Sequence, residues 1–219
     1  PAALSYPMNM PIYDWGFQSE PEPHLGGRRL ATPRGKVVGG SSSINGMVYV
    51  RGNAKDYDTW EAMGAQGWSY ADVLPYFKRY ENRIGEHDTT YRGTDGEQTV
   101  TDLEWRHPLC DAFIKAAVGI GIPENKDYNG GIQEGVSYVQ RTTKGRLRVS
   151  AAKAFLNPAK KRRNLSIRTN AHVMRIELEG KRATAVRYAV GGRHGVEHVV
   201  EARREIILSA GILRFSHSL

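Results

Sequence analysis

Residue types that could do chemistry concentrate between Gly35 and Gly52, which reads Gly-Lys-Val-Val-Gly-Gly-Ser-Ser-Ser-Ile-Asn-Gly-Met-Val-Tyr-Val-Arg-Gly. The paired Gly39 and Gly40 let a backbone approach a ligand with no Cβ in the way. Ser41, Ser42 and Ser43 bring hydroxyls and backbone N–H groups, the equipment that holds a pyrophosphate at a turn or a helix start. Asn45 adds a two-sided amide that can pair with the edge of a heteroaromatic ring. A flexible Gly/Ser linker is the plain alternative. Val37, Val38, Ile44, Met47 and Val48 interleave apolar residues that a linker does not need, so a phosphate- or cofactor-contacting loop is the stronger reading.

Other reactive residues carry less. His194 and His198 stand four apart, a metal-pair spacing on a helix. Gly191, Gly192 and Gly195 make that stretch a turn and strand instead, and no third or fourth ligand is apparent, so no metal site is expected. His24, His87, His107 and His172 read as surface or structural residues, and no histidine has a claim to be a catalytic base. Cys110, the single cysteine, is expected to pack beside the apolar face of its helix. One cysteine forms no internal disulfide and fits a reducing, cytoplasmic compartment.

The elements that must position these residues follow from periodicity. Residues 1–33 are irregular and proline-broken, with Glu20-Pro21-Glu22-Pro23 disfavouring any helix, so an extended segment lying across something else is expected. Asn53–Met63 has helix character, with Tyr57 and Trp60 on one face. Ser69 to Asp72 is a capping box opening a helix whose apolar side is Val73, Leu74 and Phe77, with Pro75 as a local conflict. Ile84–Thr101 is polar and turn-like, a place for a lobe boundary. Pro108–Ile120 predicts a helix with Leu109, Phe113, Ala116, Ala117 and Ile120 in a 3.6-residue rhythm. A loop over 127–135 and a short helix over 150–156, stopped near Pro158, come next. Residues 165–169, 172–178, 184–190 and 196–202 predict strands joined by Gly-bearing turns. Ile206-Ile207-Leu208 has the continuous apolar character of a strand buried on both faces of a parallel sheet, ending in small residues that would face a ligand crevice.

Lys and Arg number 31 against 23 Asp and Glu, a net charge of +8. The clusters Lys160–Arg163, Arg28-Arg29 and Arg203-Arg204 come with no zinc-finger spacing and no aromatic strand of the RNA-binding kind, so no nucleic-acid partner is expected. The surplus equally suits an anionic cofactor or peripheral contact with an acidic inner-membrane surface. A non-catalytic basic binding module is the rival from a different class.

The 35–52 stretch, continued through Asp58, resembles the first signature of the glucose–methanol–choline (GMC) oxidoreductases at each constrained position. The likeness extends through Pro33-Arg34, Asp56-Tyr57-Asp58 with Trp60, Gly67-Trp68 and Pro75-Tyr76-Phe77. Tyr91-Arg92-Gly93, Asp95-Gly96, His107-Pro108-Leu109, Asn129-Gly130, Gln133-Glu134-Gly135 and Ser150-Ala151-Ala152 bring it to the choline dehydrogenase-like branch. The resemblance implies a mixed α/β (α+β) fold: part of a Rossmann-like FAD-binding domain with an antiparallel β-meander, plus part of a substrate lobe. Residues 1–82 would be the FAD-contacting part with its extended N-terminal segment. Residues 83–157 would be part of the substrate lobe with a helical connection, and 158–219 the meander and buried strand.

It further implies oxidation of a small alcohol such as choline to an aldehyde, with hydride passing to flavin N5. Another primary alcohol is the alternative substrate, and the electron acceptor is left open. Val37, Asn45, Gly46, Met47 and Val48 would line the flavin, Gly40 and Ser41 would lie beside the pyrophosphate, and Val173 would meet the adenine through its backbone. Some relatives attach FAD covalently through a histidine at the position of Ile44. Ile44 has no nucleophile, which implies dissociable FAD.

Departures from the family pattern accompany the match. No Gly-x-Gly-x-x-Gly occurs, and the domain that supplies the family's catalytic base has no counterpart. Ser209-Ala210-Gly211 enters a second family signature that Ile212, Arg214 and Phe215 then leave. With Pro1 at the start and Leu219 after an apolar run, a piece of a longer protein is expected, inactive alone and binding FAD weakly or not at all.

Overall fold

The computed structural model describes residues 6–211 and 213, and the chain forms two compact units, Pro1–Arg162 and Arg163–Leu219. Ile212, Arg214 and Phe215, where the second signature is lost, lie outside the described residues. In the first unit, the proline-broken start is a long irregular hairpin. Bridges Asp14↔Gly35, Gln18↔Ala31 and Glu22↔Arg28 close it, with a short 3-10 turn at Pro23–Leu25. Asp14 is its pin. Its carboxylate is 2% exposed and accepts backbone N–H groups from Asn9 (2.7 Å), Gly16 (3.0 Å) and Arg34 (3.0 Å). Burial alone would raise its pKa, but the N–H groups of Gly16, Asn9 and Arg34 outweigh it and hold the carboxyl below its usual value.

Helix α1 (Ala54–Ala62) starts at Asn53, whose side chain accepts from the Lys55 N–H. Helix α2 (Tyr70–Tyr80) opens with the expected capping box, Ser69 and Asp72 satisfying each other's backbone N–H. Pro75 sits inside α2 and removes the bond to the Ala71 carbonyl; Ala71 is exposed, so water can take that acceptor. The two helices meet where Tyr57 packs edge-on against Phe77, and Trp60 on α1 and Tyr80 on α2 extend the same aromatic cluster.

The polar segment 84–101 lies inside the first unit and is closely packed. Strands β1 (Glu81–Arg83) and β2 (Gln98–Val100) pair in parallel. A Cβ at Gly93 would stand 1.9 Å from the Lys78 carbonyl oxygen, so only glycine lets this turn lie against the end of α2.

Helix α3 (Pro108–Gly119) has the expected bounds but a different orientation. Leu109, Phe113 and Ile120 are 73%, 70% and 81% exposed, while Ala117 is buried. The inward side also carries Asp111, which accepts from the Tyr138 hydroxyl at 2.8 Å. An apolar rhythm marks a face that needs a neighbour, and among the described residues nothing covers this one. Cys110 is exposed rather than packed.

A two-residue hairpin, β3 (Thr143–Lys144) with β4 (Leu147–Arg148), leads to a π-type turn at Ala152–Leu156 that runs into α4 (Asn157–Ala159). The second unit is an antiparallel meander of β5 (Ala171–Glu179), β6 (Arg182–Val190) and β7 (Val196–Glu201). Ile176, Ala185 and Ala189 are its buried residues. Two expected strands are absent. Among the described residues, 165–169 join no strand ladder, although Arg168 donates to the Tyr188 hydroxyl (2.6 Å), and Ile206–Leu208 is irregular with Ile207 79% exposed. A doubly buried strand needs parallel neighbours, and among the described residues none flanks this run.

Candidate functional site

The Gly/Ser stretch is an ordered loop. Gly39 (φ +92°) and Gly40 (φ +57°) turn the chain into a short 3-10 helix, Gly40–Ser43. A Cβ at Gly39 would lie 2.6 Å from Ser43 Oγ and 3.1 Å from Ala152 Cβ, so the turn closes only around glycine. The hydroxyls mostly serve the loop itself. Ser42 Oγ donates to the Gly39 carbonyl (2.6 Å) and accepts from Ala151 N–H (2.9 Å), and Ser43 Oγ donates to the Val38 carbonyl (2.9 Å). Ser41 Oγ accepts from Gly35 N–H (3.1 Å), which leaves its own proton for another acceptor.

Side chains alternate between core and surface along the downstream arm. Ile44 is 4% and Met47 0% exposed, whereas Asn45 and Val48 are exposed. Met47 has φ +64°, its N–H donates to Asn45 Oδ1 (3.1 Å), and its carbonyl accepts from Thr142 N–H (2.9 Å). It therefore anchors the loop from the protein side. Val37 is half-buried, and Gly40 and Gly46 have open space where a Cβ would stand. Val173 lies on β5 in the second unit, paired with Tyr188 and 46% exposed.

Behind the arm is an ion cluster that no local pattern announced. Glu81, fully buried, accepts from Arg51 Nη2 (2.5 Å), Arg92 Nη2 (2.6 Å), Arg92 Nε (3.1 Å) and Gly93 N–H (3.1 Å). Arg92 also donates to Asp127 and to Gln140 Oε1. Two guanidiniums thus face two carboxylates, with nearly every polar atom spoken for, the condition under which a buried ion group is tolerated. Asn129 and Tyr128 connect it to the loop: Asn129 Oδ1 accepts from Arg51 N–H (2.8 Å), and the Tyr128 hydroxyl donates to the Tyr49 carbonyl (2.9 Å). Burial, then the neighbouring Tyr80 and Glu81, push the Tyr49 phenol well above its usual pKa, so it stays neutral. Partners of Glu81 lie 11 and 30 residues away in sequence, which is why composition and periodicity gave no sign of them.

A wider concavity of about 1020 Å³ is lined by Arg83, Asp102, Arg106, Lys115, Lys126 and Asp127 among others. Arg83 and Asp102 in this lining are spent on each other, and Asp127 on Arg92. His198, half of the histidine pair, stacks on Tyr188 with ring centroids 5.4 Å apart. Among the described residues no three His, Cys, Asp or Glu side chains come together to hold a metal, and no helix is long and apolar enough to cross a membrane.

The loop's open glycines, the spare Ser41 proton and the outward Asn45 amide fit a ligand with anionic and heteroaromatic parts. The family model described as GMC oxidoreductase matches residues 18–219. The chain belongs to the GMC oxidoreductase family. Among its relatives, the oxygen-dependent choline dehydrogenase of Brucella anthropi is 52% identical over 210 residues, covering 96% of this chain and 37% of that protein. That of Rhizobium rhizogenes is 51% identical over the same length. The GMC chain here therefore spans a little over a third of the curated relatives it matches. Among solved structures, pyridoxine 4-oxidase from Mesorbium loti superposes with a TM-score of 0.83 at 30% identity, over 92% of this chain and 39% of that one. An FAD-dependent oxidoreductase from Chaetomium thermophilum gives 0.81 at 30% identity, over 88% and 35%. The mixed α/β fold, helices with small sheets and an antiparallel meander, is that of GMC oxidoreductase structures.

Proposed function

We propose that this chain is part of an FAD-dependent oxidoreductase acting on a CH–OH donor, choline, to give betaine aldehyde. The 52% identity over 210 residues to oxygen-dependent choline dehydrogenases carries the reading. FAD, when bound, supplies the hydride acceptor. Of this chain's residues, Gly40 and Ser41 would hold the pyrophosphate, Val37, Asn45, Gly46 and Val48 would line the flavin with Met47 anchoring them, and Val173 would meet the adenine through its backbone. The left-handed turn at Gly40 and the space above it support close approach of an anion.

Ile44 is buried and has no nucleophile, so FAD is expected to be non-covalent. Acid precipitation of the holoprotein should leave the yellow colour in the supernatant; a yellow pellet overturns this. The base that takes the alcohol proton must sit within hydrogen-bond reach of it. No histidine among the described residues has that claim, so the 219-residue chain alone is expected to turn over no choline and to hold FAD weakly or not at all.

The deciding assay uses the complete protein that carries this chain, with choline against a panel of primary alcohols and an artificial electron acceptor. Choline oxidation supports the proposal. Activity confined to another primary alcohol supports the second reading, which the likeness to pyridoxine 4-oxidase favours. We also place the protein in the cytoplasm, at the periphery of the inner membrane. The unpaired Cys110 and the +8 charge support this, and cell fractionation with a salt wash tests it.

A further inference from the structure

Arg148 reaches the loop from β4, 103 residues along the chain from Asn45. Its Nη1 donates to the Ser42 carbonyl (3.2 Å), the Asn45 carbonyl (2.7 Å) and Asn45 Oδ1 (2.8 Å). The Met47 N–H donates to the same Oδ1. Two donors converging on one atom require it to be the amide oxygen. The Asn45 Nδ2 protons therefore point the other way, and among the described residues no acceptor meets them, on a side chain that is exposed. An exposed amide ordinarily rotates freely; a charge-assisted bond at the carbonyl end holds this one.

The charge of Arg148 is also uncompensated. Among the described residues no carboxylate lies within ion-pair distance of it, its side chain is half-buried, and its acceptors are neutral oxygens. Burial and the like charge of Arg141 both work against it, yet a guanidinium stays protonated. A hydride added to a neutral ring leaves a negative charge on that ring, and a nearby unpaired cation favours that product.

We infer that Arg148 is a positioning residue for the bound flavin: it sets the Asn45 amide with its N–H donors toward the ring and keeps an unneutralised positive charge beside it. This rests on the flavin reading above. In the complete holoprotein, Arg148→Gln should move the equilibrium between reduced and oxidised flavin about tenfold toward the oxidised form, about 30 mV for a two-electron couple. Arg148→Lys, which keeps the charge, should stay within threefold of wild type. Arg148→Gln should have a smaller effect in an Asn45→Ala background than in wild type, the mark of residues that act together.

The inference is overturned by an Arg148→Gln protein that keeps its flavin and shows the wild-type equilibrium, or by equal effects in both backgrounds. If Arg148→Gln loses its flavin, Asn45→Ala carries the test: it leaves the guanidinium in place, removes the amide that Arg148 holds, and should shift the equilibrium the same way, and no shift overturns the inference. The 219-residue chain itself offers a flavin-free check by 15N NMR. The Asn45 side-chain amide should be ordered in wild type and mobile in Arg148→Gln, and equal mobility in both overturns the positioning role. A complete wild-type protein that purifies without flavin and binds none overturns the flavin reading instead, while the NMR result still decides whether Arg148 sets the amide.

Discussion

The loop at residues 39–46 and the cluster around Glu81 are both polar, and Arg51 on the loop's downstream arm joins them, yet they use polarity in opposite ways. In the cluster, Glu81 and Arg92 have no solvent exposure in their side chains and each charge has a partner. In the loop, Ser42 and Ser43 are spent internally while Ser41, Asn45 and Arg148 keep a proton, an amide end and a charge in reserve. A saturated group can only support, and one with spare capacity can bind. Residues 49–51, tied to the cluster by Asn129 and Tyr128, transmit that support to the binding face.

The sharpest way to break this contrast is Glu81→Gln, which leaves two buried guanidiniums facing one remaining carboxylate. It should cost about 3–5 kcal/mol in urea unfolding of the chain. A cost under about 1 kcal/mol would mean the cluster is dispensable. Asp14→Asn comes next, at about 2 kcal/mol at pH 7, because three backbone N–H groups lose their anion. The carboxyl is held below its usual pKa in the fold. Its contribution is therefore complete above the unfolded value, near 3.8, and disappears as the pH falls through the lower folded value. Wild type and Asp14→Asn should converge in unfolding free energy below about pH 4.

Much of this architecture was legible because it is local. The capping box at Ser69, the helix after Asn53 and the last three strands of the Gly-punctuated meander each rest on residues a few positions apart and stand where their patterns put them, whereas 165–169 does not form its strand. The apolar periods were less informative about surroundings. Leu109, Phe113 and Ile120 announced a helix face but could not say that it turns outward, and Ile206–Leu208 announced a strand that has no neighbours among the described residues. Glu81 and Arg148 gave no signal, because each acts on residues that sequence distance hides.

Smaller substitutions sharpen the loop side of the contrast. Gly39→Ala should cost about 1–2 kcal/mol, since its φ of +92° and the nearby Ser43 Oγ both oppose a Cβ. Gly40→Ala meets no atom within 4 Å and carries only the backbone term, so its thermal shift should be the lesser of the two. The smallest effect belongs to Phe113→Ala, within about 0.5 kcal/mol in this chain, because a 70% exposed ring has little packing to lose. A larger loss at Phe113 would show that the outer face of α3 is already covered.

Cys110 gives the experimenter an unearned convenience. It is the one sulfhydryl in 219 residues and it is exposed on α3, so a maleimide dye or nitroxide goes on at a single known point without cysteine engineering. Placed next to Leu109 and close to Phe113, such a probe reports the polarity of that face directly. Its emission would show whether that surface is wet or dry in solution.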